Sequence, residues 1–96
     1  MGRYLVMWEA DESKIPVDPE ERKLGWLGGI EMTKQDIKDG NTKDYGVFLG
    51  QPRGFSIAEG TEEEVISSTL KYMPYFRFKV YPVASIEVIE EAIKAM

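Results

Sequence analysis

The chain contains no cysteine and no histidine. Without cysteine there is no disulfide, no thiolate metal site and no thiol nucleophile. Without histidine the commonest general base, the commonest transition-metal ligand and the usual axial haem ligand are missing. No apolar run approaches the ~18 residues that a bilayer span requires. Near the N-terminus Glu9, Asp11 and Glu12 interrupt any apolar stretch, so no secretory layout is expected and a cytoplasmic protein is. Cations are outnumbered, with 12 Lys and Arg against 17 Asp and Glu, a net charge of −5 and a pI near 4.7. That balance disfavours nucleic acid and anionic membrane as partners. Repeats, linkers and low-complexity segments are absent as well.

What is present is one domain's worth of chain, residues 1–96, with 43% hydrophobic and 30% charged residues. Its most informative stretch is Met73 to Pro82. Phe76, Phe78 and Val80 alternate with Arg77, Lys79 and Tyr81, so a strand is expected with one apolar face and one cationic face. Pro74 and Pro82 are expected to bound it.

Taken from the start, Arg3 to Glu9 reads as a strand with Tyr4, Val6 and Trp8 on one face and Leu5 and Met7 on the other. Both faces are apolar, which suits a central strand. After a polar loop, Asp18-Pro19-Glu20-Glu21 is a helix start: Asp18 caps, Pro19 suits the first position and Glu21 completes a capping box. The helix is expected to run to about Asp39 and stop at Gly40-Asn41. Its main stripe is Trp26, Ile30, Thr33 and Ile37, flanked by Leu24 and Leu27. Gly25, Gly28 and Gly29 weaken it, and two readings are open: packing tolerates them, or another backbone or a ligand approaches that side.

Lys43–Gly50 and Phe55–Glu59 are expected to form a hairpin about Gln51-Pro52-Arg53-Gly54. Thr61 and Glu64 make a second capping box for a short helix that ends before Pro74. Ser85 caps a last helix with Ile86, Ile89 and Ile93 on one face. The order is β-α-β-β-α-β plus a C-terminal helix, which predicts an α+β, ferredoxin-like fold with an antiparallel four-stranded sheet. Right-handed crossovers place the first and third strands in the centre and both main helices on one face. The other face carries Leu5 and Met7 beside Arg77, Lys79 and Tyr81, and an isologous homodimer would cover it.

The segment Pro74-Tyr75-Phe76-Arg77-Phe78-Lys79-Val80-Tyr81-Pro82-Val83 resembles the last-strand signature of muconolactone isomerase-like proteins. In element order and length the chain resembles the dimeric α+β barrel superfamily, as an uncharacterised small family within it. The first strand with Trp8-Glu9-Ala10-Asp11 departs from the isomerase pattern. The resemblance implies a homodimer or a higher oligomer built from it, with a cavity in each subunit between sheet and helices. It also implies that a small apolar or aromatic compound binds there, with isomerase-type or cofactor-independent monooxygenase-type turnover and no cofactor. It supplies no catalytic residues.

Without His or Cys, acid–base chemistry falls to carboxylates, Tyr or Lys. The first and third strands are neighbours and are expected to run parallel, so that Glu9 and Glu59 meet at one rim. There they could share a proton or bind a cation, or simply be solvated strand ends. Tyr4, Trp8, Trp26 and Tyr45 could line an aromatic pocket between sheet and first helix, or be ordinary core. Arg53 on the hairpin could clamp a carboxylate or be an exposed turn residue. Arg77 and Lys79 read as interface residues pairing with acids rather than as an anion site. The Glu9, Asp11, Glu12 loop lacks the periodicity and glycine of a calcium loop, and no metal is expected. Arg53-Gly54-Phe55 begins like an RNA-recognition strand, but Ile57 stands where a second aromatic belongs and Glu59 adds negative charge. Two functions follow as expectations: small-molecule binding with Tyr4, Trp8, Trp26, Tyr45, Arg53 and Glu59 as candidate ligand-binding residues, or a non-catalytic dimerisation and regulatory module.

Overall fold

Alternating side chains make Gly2–Ala10 a strand, β1, and burial on one side of it sets the architecture. The computed structural model describes residues 2–96; Met1, the first residue of the expected domain, lies outside the described residues. Helix α1 (Pro19–Lys38) follows, then β2 (Thr42–Val47), β3 (Arg53–Gly60), α2 (Glu62–Leu70), β4 (Phe76–Val83) and α3 (Ile86–Lys94). A single helical turn over Glu12–Lys14 lies in the loop before α1. The four strands form one antiparallel sheet in the order β2-β3-β1-β4. The fold is therefore α+β and compatible with a ferredoxin-like arrangement, to which the helical turn and α3 are additions.

Local chemistry starts each helix where it was expected. The Asp18 side chain accepts from the Glu21 N–H, with Pro19 at the first position. Thr61 and Glu64 form a complete box: Thr61 Oγ1 accepts from Glu64 N–H at 3.2 Å, and Glu64 Oε1 accepts from Thr61 N–H at 2.9 Å. The first of these partners, the Thr61 backbone, also holds the Glu64 carboxyl below the usual carboxylate range. Ser85 caps α3 through the Val88 N–H.

Three expectations are corrected. First, β1 and β3 run antiparallel, with Glu9 opposite Arg53 and Glu59 opposite Arg3, so Glu9 and Glu59 lie at opposite ends of the pair. The reason is topological. The α1 crossover returns the chain parallel to β1, and the β2–β3 hairpin then reverses it. Second, the last strand begins at Phe76; Pro74 and Tyr75 belong to a turn closed by bonds from Tyr75 N and Phe76 N to the Tyr72 carbonyl. Pro82 lies inside that strand, opposite Tyr4, as an edge strand permits. Third, the buried positions of α1 are Thr33 and Asp36, while Ile37, Leu24 and Leu27 are exposed.

Val6, Trp8 and Ala10 of β1 are buried under the helices, with Val65 of α2. The opposite face carries Leu5 beside Ile57 and Tyr81, and Met7 beside Phe55 and Lys79. Glu9 accepts from Arg77 at 3.1 Å and lies 4.0 Å from Arg53, so the expected interface cation Arg77 already has an acid within its own chain. These groups are all partly solvated, and such pairs contribute about 0–1 kcal/mol. In α3 the apolar face is uncovered: Ile86, Ile89 and Ile93 are 74%, 50% and 61% exposed.

The α1 glycines are not sites of close approach within the subunit. A Cβ at Gly25, Gly28 or Gly29 would meet nothing within 4 Å. Gly25→Ala and Gly28→Ala are each expected to stabilise the fold by roughly 0.5–1 kcal/mol. Thr61→Ala is expected to destabilise it by about 1 kcal/mol. Urea denaturation of the single variants tests both signs.

Candidate functional site

The helix-side face of β1 presents Val6 and Trp8 to a cavity of about 70 Å³ between the sheet and helices α1 and α2. Trp26, Gly29, Ile30, Thr33 and Asp36 line it from α1, and Tyr72, Phe76 and Phe78 from the α2–β4 side. Tyr45 of β2 closes the sheet wall. Most of the lining is aromatic or aliphatic, with one charged residue, Asp36.

Trp8 is the centre of the wall. Its ring stacks on Tyr45 at 5.5 Å with the planes 5° apart and meets the Phe76 ring edge-on at 5.8 Å. Phe76 in turn meets Trp26 at 6.1 Å. The Trp8 indole N–H donates to the Phe55 carbonyl at 3.3 Å, so the buried ring carries no unmatched donor. Room for that ring comes from β3. Gly54 stands directly opposite Trp8, and a Cβ there would meet the indole at 2.6 Å and clash with the Gly46 carbonyl oxygen. A side chain at Gly54 and the present Trp8 position are incompatible.

The polar end is built from three separated pieces of sequence. Asp36, 2% exposed, comes from the last turns of α1. Its Oδ1 accepts from Lys71 Nζ and its Oδ2 accepts from the Tyr72 hydroxyl at 2.7 Å. Thr33 lies one turn earlier, with its hydroxyl donating to the Gly29 carbonyl at 3.0 Å and standing 3.5 Å from Tyr72 Oη. Burial pushes the Tyr72 phenol well above its ordinary range; the Thr33 contact opposes this, and the Asp36 carboxylate adds to it. The Tyr45 phenol is also raised, by burial. Asp36 and Tyr72 meet in the cavity wall, where a phenol bonded to a carboxylate can relay a proton away from a bound molecule.

Of the residues singled out in the sequence, Trp8, Trp26 and Tyr45 come together around this cavity. Tyr4 shares their side of β1 but lies beyond the cavity, beside Ala58 and Pro82, with its ring over Gly2. Arg53 and Glu59 lie on the opposite face of the sheet, Arg53 beside Glu9. Sequence reasoning did not find Asp36, Lys71 or Tyr72. The signal available was the helical series Trp26, Gly29, Thr33, which continues to Asp36 as readily as to Ile37. Among the described residues no cluster of three or more acidic side chains is arranged to hold a metal ion, and no helix is long and apolar enough to cross a membrane. No family model matches the chain, and no curated protein matches it.

The raised Tyr72 phenol has a measurable consequence. The protonated phenol is favoured in the folded state, so its contribution to stability is present below the unfolded value near 10 and is lost as pH rises through the higher folded value. An absorbance titration at alkaline pH is expected to show late-ionising tyrosine, and Tyr72→Phe to remove its most alkaline part. An unchanged late phase in Tyr72→Phe would contradict the assignment.

Proposed function

We propose that the protein binds a small, mostly apolar molecule in the cavity between its sheet and helices. The observation that carries this reading is an aromatic-walled cavity that ends on a buried carboxylate, Asp36, and a half-buried phenol, Tyr72. Binding sites combine apolar walls with a few convergent polar groups, and acid–base residues with shifted titration concentrate in them. Trp8, Trp26 and Tyr45 contribute the flat surfaces. Turnover of the isomerase or cofactor-independent monooxygenase type, which the resemblance to dimeric α+β barrel proteins implied, would draw on the Asp36–Tyr72 pair for proton transfer. Arg53 and Glu59 have no place in that chemistry, since the sheet separates them from the cavity.

The subunit pairs with a second copy through its helix-free face. Leu5, Met7, Phe55 and Ile57 gather in the middle of that face, with Tyr81 at their side. The uncovered isoleucines of α3 add to the same demand for a partner. A two-fold dimer satisfies it because one patch serves both subunits. This surface also supports the alternative function, a non-catalytic dimerisation and regulatory module in which the cavity is only a packing gap.

Two measurements separate these readings. A panel of small alcohols, phenols, aldehydes and aromatic acids, followed by thermal shift and by NMR of the indole signals, is expected to yield binders. Ala58→Leu, which fills the cavity from β3, is expected to abolish their effect. If no member perturbs Trp8 or Trp26, the binding reading falls and the module remains. In sedimentation the native chain is expected to be a dimer at micromolar concentration, and Ile57→Lys a folded monomer. A native monomer would overturn the pairing.

A further inference from the structure

We infer that the polar end of the cavity is an acceptor site, so that the bound molecule is neutral and carries a hydroxyl, as an alcohol or phenol does, rather than a carboxylate or a carbonyl group. This rests on the cavity being a binding site and specifies what it takes.

The argument is an accounting of protons. A hydroxyl has one proton to give and two lone pairs to receive with. The Tyr72 proton is committed to Asp36 Oδ2 at 2.7 Å. The Thr33 proton is committed to the Gly29 carbonyl at 3.0 Å. Tyr72 Oη and Thr33 Oγ1 stand 3.5 Å apart, within reach of one another, on two residues that line the cavity. The Thr33 proton can turn from the Gly29 carbonyl to Tyr72 Oη, and in either arrangement both hydroxyl protons are spent within the protein. What the two oxygens still offer is lone pairs, so an external O–H can be received there while a ligand that only accepts finds no spare proton.

Other groups reinforce the preference. Thr69, also on the wall, directs its proton to the Ile66 carbonyl at 2.9 Å. The Trp8 N–H is used by Phe55. Asp36 places a negative charge in the lining, which opposes an anionic ligand. Its ammonium partner, Lys71, stands outside the cavity lining and is 45% exposed along its side chain, so it offers no direct contact to an anion within. The hydroxyls of Ser56, Ser68 and Thr42 on the remaining wall can each donate or accept, and so set no preference.

Size sets the second limit. At about 70 Å³ the space is smaller than the ~150 Å³ cavity that holds benzene in an engineered protein core. That size suits a short alkyl chain, and a single ring would have to extend beyond it; of the lining residues Trp26 and Ile30 are each 36% exposed.

The test is a matched series titrated into the native protein: phenol, anisole, benzaldehyde and benzoate, with 1-butanol as a slimmer donor. Binding is read from the NMR signals of the two indole N–H groups and the amides of Gly29 and Thr33. Phenol and 1-butanol are expected to bind, anisole and benzaldehyde to bind at least about tenfold more weakly than phenol, and benzoate weakest of all. Thr33→Val, nearly the same shape, is expected to reduce the advantage of phenol over anisole; Tyr72→Phe is expected to abolish it. Should Tyr72→Phe fail to fold, the native series and Thr33→Val decide the matter. Anisole, benzaldehyde or benzoate binding as tightly as phenol overturns the acceptor site while leaving the cavity as a binding site. Perturbation by none of the five compounds overturns both.

Discussion

Asp36 is, among the described residues, the one buried charged side chain, and the helix layer is tied together at that point. Its two oxygens receive Lys71 and Tyr72, both from the segment that leaves α2 and turns toward β4. The bonds therefore link the end of the first helix to the connection between the second helix and the last strand. A buried carboxylate is tolerable only when its oxygens are met by donors, and losing one donor leaves a charge stranded in a poorly solvating place. The position of Tyr72 follows from that requirement. Phe76 and Phe78, which meet the Tyr72 ring edge-on, follow from Tyr72. The cavity exists because these groups are held at its perimeter rather than collapsing into its middle.

The sheet has opposite duties on its two faces. Under the helices it carries small residues, Gly54, Ser56 and Ala58, along β3, which leave space above them for Trp8 and for the cavity. On the open side the same strand alternates to Phe55 and Ile57, which fill space instead. One strand thus makes room on one side and offers contact on the other, and a shift of register by one residue would exchange the two roles.

What could be read from the sequence was mostly local. Asp18, Thr61 with Glu64, and Ser85 announced their helices because capping needs only a short polar side chain and the next turn's N–H groups. The alternation of Phe76 to Tyr81 gave a strand for the same reason. Relations between distant segments were less legible. The direction of β3 relative to β1 depends on counting reversals through the hairpin, and the expected Glu9–Glu59 rim failed on that count. Asp36 was hidden in a run that reads as a solvated helix end, Gln35-Asp36-Ile37-Lys38-Asp39. Hydrophobicity favours Ile37 for the interior, yet Ile37 is 47% exposed and Asp36 is buried, because its partners arrive 35 and 36 residues later. Trp8, Trp26 and Tyr45 were legible since rings at strand and helix periods point inward whatever their use, whereas Tyr72 lies in the turn after α2, where no period marks it.

The edges of the sheet carry a further consequence. The outer strand β4 alternates exposed Arg77 and Lys79 and then runs into Pro82, while β2, the other outer strand, is six residues long with a bulge between Thr42 and Asp44. Charge, proline, shortness and a bulge are the features that stop a foreign strand from adding to a sheet. Both margins are therefore poor templates for cross-β growth, even though the open face is apolar. A concentrated solution of this protein should resist fibril growth from the edges of its sheet.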